Sequence, residues 1–570
     1  MIADAAYSED YVEYIVEYNG DSSALMAFYT PDQIRLIDSR YAVVFQRKPA
    51  DHMESFSRLE YTLFPKVYGP MDDVGALEAI GAVNIQQQSI LGLTGEGMLL
   101  GIVDCGLDIY NGAFLREGRK SRILAAWDQT IEGTDAATYG YGLEYSAEEI
   151  QAAIDEERRI ITDVTGHGTF CGETAMSVAV DADIIMVKLK QAKQNLRELY
   201  GIPQEPVACS EVDIMTAIAY LLRIQHMLKR PMCVLVAWGS NSGSHTGAGA
   251  LEKYINNIGD LKGLAVAVPG GNEGRAGHHY RGVIGLKTDS IIPGSLTADD
   301  DTGVGTGYDR VEIDIANNDS LTLEIWGSAA NTYSVALEVP GGEYVERVSP
   351  RYDKSTVIKP IFGGGTVYVD YFLIEDAAGQ ELIMFRFIRP ANGIRVYGVG
   401  ETELSFNAWL PISAFVSPQT KFVKSDPRTT ITSPASAETA ICACAYDYTN
   451  GNLYIDNSRG YTADRRVKPD FLAPGVNISG DGPGNETVIR SGTSIAAAYA
   501  AGCSILLLEW SYDRMDVRTI NGNQIRHYLI RGAVRPGASG GLLDIRSYPN
   551  PEWGYGLLNI YNTFESLRNV

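Results

Sequence analysis

The rhythm of apolar and polar positions changes three times along the chain. Early on, YVEYIVEY (residues 11–18) and YAVVFQR (41–47) read as strands, and TPDQIRLID (30–38) carries helix-start signals. This small α/β unit runs into LFPKVYGP (63–70), where Pro65 and Pro70 favour an extended tail. Residues 76–92, ALEAIGAVNIQQQSILG, then read as helical. Three short, continuous apolar runs bounded by Gly or polar residues follow, GMLLGIVDCG (97–106), MCVLVAWGS (232–240) and GLAVAVPGG (263–271), separated by helical patterns such as residues 211–230. Apolar runs bounded by glycine and alternating with helices predict a parallel sheet covered on both faces. From about His279 to Ser417 the period becomes two, as in RVEIDIANNDSLTLEIWG and GTVYVDYFLIED, with Gly, Asn and Asp turns between segments. That predicts an antiparallel β module, a sandwich or jelly roll, inserted as a unit. The α/β texture resumes near Thr430, with a long small-residue helix over residues 491–510 and a closing segment at 553–567. No repeat of 20 to 50 residues interrupts this order.

At 570 residues the chain has room for three or four domains, and 45 % hydrophobic with 21 % charged residues is ordinary globular composition. The formal charge of −24 sets the chain against phosphate backbones and anionic lipid surfaces, so nucleic-acid and membrane-surface binding are not expected. No continuous apolar run approaches the roughly 18 residues that cross a bilayer, and the first residues lack a basic and apolar export signal. A cytoplasmic location is the expectation, or a spore-associated one on the resemblance given below. The seven cysteines form no C-x-x-C pair and mostly sit in apolar runs, which points to free, buried thiols and not to zinc or disulfides.

Three segments carry chemistry at the edges of apolar elements. Asp104 ends a buried-strand pattern just before Gly106; His167 stands between Gly166 and Gly168 at the start of a helical stretch; Ser494 follows Gly492-Thr493 at the start of another. Acyl transfer by a hydroxyl requires a base to take its proton and an anion to orient that base. A helix start adds N–H donors for an oxyanion. The order Asp, His, Ser is that of subtilisin.

On these segments the chain resembles the subtilisin-like serine proteases, over about residues 77–280 and 430–560. The resemblance implies an α/β fold with a subtilisin-like parallel sheet covered by helices on both faces. It also implies that Asp104 orients, His167 acts as base and Ser494 is the nucleophile. Gly271-Asn272-Glu273-Gly274 matches the family's oxyanion segment, which makes Asn272 the expected donor; Ala237-Trp238-Gly239 matches the strand against which a peptide substrate pairs; Pro469 to Gly475 matches the stretch preceding the serine. Phe170 stands where the family usually has a second histidine, and Ala498 where it usually has proline. The spacing of 494 − 272 = 222 residues between oxyanion Asn and nucleophile holds the β module, which minimal family members lack.

The whole arrangement is similar to the clostridial spore-germination (Csp) proteases, in which the protease activates a cortex-lytic zymogen hydrolase. That resemblance implies a prodomain at 1–72 serving as intramolecular chaperone and inhibitor, a catalytic domain at 73–280 and 428–570, and an inserted β jelly roll at 281–427. It further implies that the prodomain tail, within Leu63 to Met71, lies in the active-site cleft and is cut there. Protein or peptide substrates are the expected partners. Competing readings are a catalytically silenced scaffold, a subtilase unrelated to germination, or a sugar-binding role for the insert through Trp326 or Trp409. No cofactor is expected; Asp299-Asp300-Asp301 is the one oxygen-rich candidate for calcium, with a solvated turn the simpler reading.

Overall fold

The computed structural model describes residues 2–20, 22–57, 59–70, 78–82, 92–132, 138–284, 307–316, 319–338, 344–350, 355–360, 365–388, 393–399, 404–514, 520–537 and 547–568. Asp299 to Asp301, Met71 and most of the expected helix at 76–92 lie outside them.

The apolar runs form a single sheet. Its order is Asn452–Leu453, Ile441–Asp447, Leu264–Pro269, Met232–Val236, Leu99–Asp104, Asp183–Lys188, Ile123–Asp128 and Leu143–Ser146, with Phe471–Pro474 joined to Ile441–Asp447. All the inner pairs are parallel, and the two end strands are antiparallel. Every residue from Leu99 to Asp104 is buried, as expected of a strand covered on both faces. On one face lie the helices His167–Val178 and Thr493–Arg514; on the other lie Glu211–Leu228 and Ala250–Gly259. The helix from Thr493 to Tyr512 is long and apolar enough to span a bilayer by composition, which a search for uninterrupted apolar runs misses. It is almost wholly buried inside the protein, where an all-round apolar helix belongs.

The alternating segments build two stacked antiparallel sheets. One has six strands, from His279–Ile284 at one edge to Thr356–Ile358 at the other; the second has five, from Tyr344–Val348 to Lys421–Phe422. Their inward residues, among them Leu323, Phe385, Val396 and Phe406, form a separate core. Trp326 and Trp409 are buried, with their indole N–H groups donating to Glu324 and to the Thr429 carbonyl. They are packing residues and offer no exposed platform for a sugar.

The first 47 residues form a three-stranded antiparallel sheet ordered Tyr11–Glu17, Tyr41–Arg47, Ile34–Leu36, with helices Ile2–Tyr7 and Ser22–Phe28. The helix expected over 30–38 is instead a turn and a strand. Gln33 accepts from both the amide and the hydroxyl of Thr30, closing a local turn, and Ile34 then pairs with Val44. Cross-strand pairing overrode a helix-start signal there. This unit lays Ile15, Tyr41, Val43 and Phe45 on the helix Glu211–Leu228. It also buries two ion pairs against the large sheet's domain, Glu13–Lys193 at 3.1 Å and, behind it, Lys190–Asp213 at 3.0 Å.

Candidate active site

The strand Leu99–Asp104 ends with Asp104 at the carboxyl edge of the sheet, where open α/β folds place their sites. Opposite it, Gly166 at φ 76° opens the helix that begins with His167. Glycine at 168 decides how close the two can come. A Cβ there would overlap the Gly106 carbonyl oxygen and lie 2.9 Å from Asp104 Cβ. With no side chain at 168, His167 Nδ1 reaches Asp104 Oδ1 at 2.7 Å and Oδ2 at 2.9 Å. Both residues are 1 % exposed. Asp104 also accepts from the Cys105 amide, yet burial lifts its carboxyl above the ordinary aspartate range against the pull of the His167 charge. The loop ahead of His167 is held by Asp163, whose carboxylate accepts from the amides of Thr165, Gly166 and Thr169.

Ser494 lies in the first turn of the helix Thr493–Arg514, where backbone N–H groups lack helical partners. The preceding turn is tied down by the Gly492 amide donating to the Gly475 carbonyl, at the end of the proline-rich segment. Ser494 Oγ is buried and makes no hydrogen bond among the described residues. Cys171 Sγ stands 3.8 Å from His167 Nε2, one helical turn beyond the histidine. A serine–histidine hydrogen bond is commonly long in an unliganded site and tightens on substrate binding.

Asn272 is oriented by Thr493. The Thr493 amide and hydroxyl both donate to Asn272 Oδ1, at 3.2 and 3.0 Å, and the Gly271 amide donates to the Thr493 hydroxyl at 3.2 Å. An amide whose oxygen is so occupied presents its N–H2 group outward. The next residue, Glu273, is gripped from the insert: Ser413 donates its amide at 3.0 Å and its hydroxyl at 3.2 Å, while His278 Nδ1 lies at 2.9 Å.

Ala237-Trp238-Gly239 follows the central strand Met232–Val236, and the Trp238 and His167 rings meet edge to face with centroids 6.5 Å apart. The strand Val67–Pro70 lies along this segment. It pairs antiparallel with Trp238–Gly239 on one side, Gly239 opposite Gly69, and with Cys209–Ser210 on the other, Cys209 opposite Tyr68.

Of the residues the motifs single out, the structure joins Asp104 to His167 and joins Asn272 to Thr493, the neighbour of Ser494, while Thr493, Cys171, Asp163 and Ser413 carried no signal of their own. Thr493 and Cys171 were legible only as neighbours of Ser494 and His167. Ser413 is far from the motifs in sequence, and nothing local marks it. Phe170 closes on Gly480, and Arg490 lies 5.9 Å over its ring, so this departure from the family pattern serves packing.

Asp104, His167 and Cys171 place their ligand-type atoms within 4.8 Å of one another. The Asp104 oxygens are already engaged by the His167 ring nitrogen, so the donor set reads as a proton-transfer pair beside a thiol and gives no support for a resident metal.

A comparison with protein families matches the subtilase family over residues 418–556, which holds Ser494 and the Pro469–Gly475 segment but neither Asp104 nor His167. A comparison with curated proteins finds no match. Among solved structures, the chain is similar to the Clostridium perfringens CspB protease, with TM-score 0.72 and 24 % identity over 87 % of this chain and 98 % of that one. The structural likeness speaks for the fold, and the family match for the segment that holds Ser494. Together they show a stretch similar to the subtilase family, residues 418–556, within a chain whose fold is similar to that of the CspB protease and carries an inserted β module.

Proposed function

We propose that the protein is an endopeptidase in which Ser494 attacks a peptide carbonyl as His167 Nε2 takes its proton. Asp104 holds the imidazole through Nδ1 and stabilises the imidazolium that forms. The Asn272 side-chain amide and the Ser494 backbone N–H donate to the oxyanion. His167 then protonates the leaving amine, and water, deprotonated by the same imidazole, releases the acyl group. The observation that carries this reading is the buried Asp104–His167 pair at 2.7 Å, whose histidine begins a helix packed against the one whose first turn holds Ser494.

In the same reading, residues 1–72 are a folding aid and inhibitor that the enzyme cuts from itself. Support comes from the strand Val67–Pro70 lying along Trp238–Gly239 as a cleaved substrate would. The resemblance to Csp proteases suggests the natural task, activation of a cortex-lytic zymogen during germination. A fluorophosphonate probe should label wild-type protein and not Ser494→Ala. Mass spectrometry should find an N-terminal fragment of about 70 residues only in the wild type. Unlabelled, correctly folded protein of full length would refute both.

A silenced scaffold is the second reading, favoured by one observation: the chain's own strand occupies the groove that a substrate would need. The same labelling experiment separates the two.

A further inference from the structure

The seated strand Val67–Pro70 is bounded on two sides by Cys209–Ser210 and Trp238–Gly239. Here a third wall comes from the insert. The segment Leu410–Phe415, just after the strand Leu404–Trp409, crosses above the seated strand Val67–Pro70, and its Ile412 and Phe415 are 1 % and 3 % exposed. A Cβ built on Gly69 would lie 2.8 Å from Ile412 Cδ1 and 3.4 Å from the Phe415 ring. Gly69 is not forced to be glycine by its own backbone, because no left-handed φ occurs at this position. The restriction is steric and comes from another part of the fold: the Ile412 Cδ1 methyl must shift to admit a single carbon, and anything larger runs on toward the Phe415 ring. That ring belongs to one buried cluster with Phe64, Trp326 and Trp409.

The register of the strand is pinned one residue earlier. Tyr68 is fully buried, its hydroxyl lies 2.9 Å from Ser433 Oγ, and its backbone is held between Cys209 and the Trp238–Gly239 segment. A peptide with an aromatic residue in that pocket must therefore present its next residue to Ile412 and Phe415.

We infer that the insert's Leu410–Phe415 segment is a specificity element, restricting the extended substrate to glycine immediately after the residue that fills the Tyr68 pocket. This rests on the proposal that the seated strand occupies the substrate groove. The substrate class is thus an extended protein segment reading aromatic-glycine, as Tyr68-Gly69 does. The inserted domain becomes part of the recognition surface as well as a structural addition.

Overpacking a filled site by one or more carbon atoms typically costs 1–3 kcal/mol, about 5- to 150-fold in binding. The test uses the full chain and quenched fluorescent peptides containing Lys-Val-Tyr-Gly-Pro-Met, with alanine or leucine replacing the glycine. The expected kcat/KM falls about fivefold for alanine, at the low end of that range, and toward about 150-fold for leucine, at the high end. Ile412→Ala, and more mildly Ile412→Val, should raise the alanine-to-glycine ratio at least about threefold. Equal turnover of all three peptides, or an unchanged ratio in both variants, overturns the inference.

A second arm needs no turnover. In the Ser494→Ala background, Gly69→Ala should lower Tm, and adding Ile412→Ala should recover part of that loss. Strictly additive losses overturn the inference. Protein that neither labels with fluorophosphonate nor cuts any peptide refutes the hydrolase reading, and the Tm cycle still decides the glycine rule.

Discussion

Thr493→Val isolates the contribution of amide orientation to catalysis. The substitution keeps the shape and the backbone amide but removes a hydroxyl that donates to Asn272 Oδ1 at 3.0 Å and accepts from Gly271 at 3.2 Å. Asn272 Oδ1 retains only the Thr493 N–H at 3.2 Å. A neutral hydrogen bond contributes about 1 kcal/mol net, and a buried N–H left without a partner costs about 1–3 kcal/mol. The second figure falls on stability, because Gly271 is unpaired in ground and transition states alike. The first falls on catalysis, because a loosely held amide must be reoriented as the oxyanion forms. The expected loss is about 1–2 kcal/mol of transition-state stabilisation, about 5- to 30-fold in kcat, with KM little changed. Asn272→Ala should lose about 10²- to 10³-fold. Because Thr493 acts through Asn272, Thr493→Val should change kcat less than about twofold in an Asn272→Ala background. Steady-state kinetics on one peptide, across all four proteins, completes the cycle. Equal losses from Thr493→Val in both backgrounds would refute the orienting role, as would a rise in KM at constant kcat.

Gly168→Ala should separate Asp104 from His167, since its methyl would overlap the Gly106 carbonyl oxygen. A displacement of about 1 Å at reacting groups costs on the order of 10²-fold, so kcat and the rate of fluorophosphonate labelling should both fall by at least that factor. Wild-type labelling by folded Gly168→Ala protein would contradict the steric argument. Glu381 offers a test of stability against pH. Burial pushes its carboxyl up to about 8, and its only partner among the described hydrogen bonds is the Tyr333 amide at 3.3 Å. A carboxyl raised in the folded state contributes its full stability below the unfolded value near 4.5 and loses it as pH rises through about 8. Thermal denaturation between pH 5 and 9 should show wild type losing up to about 4 kcal/mol relative to Glu381→Gln. Parallel curves for the two proteins would show that Glu381 does not titrate this way.

The sheet, its covering helices and the inserted sandwich were legible in the one-dimensional pattern. Buried parallel strands such as Leu99–Asp104 are apolar up to their last residue, whereas strands such as Ser320–Ser328 sit in turn-separated runs, and each local rule agrees with the final packing. Asp104, His167, Asn272 and Ser494 were legible for a related reason. Each stands at the end of such an element beside glycines, where backbones must approach closely. The turn at Thr30–Gln33 misled because its competing contact, the pairing of Ile34 with Val44, lies ten residues away.

What only the tertiary structure decided is everything that depends on contacts between distant segments. Thr493 orients Asn272 across 221 residues, and Ser413 reaches Glu273 across 140. The wall over Gly69 comes from Ile412 and Phe415, more than 340 residues further along the chain. No periodicity or motif encodes such a meeting, because steric exclusion belongs to pairs of surfaces. The chain's pattern determines which surfaces form, and only their packing determines which of them touch.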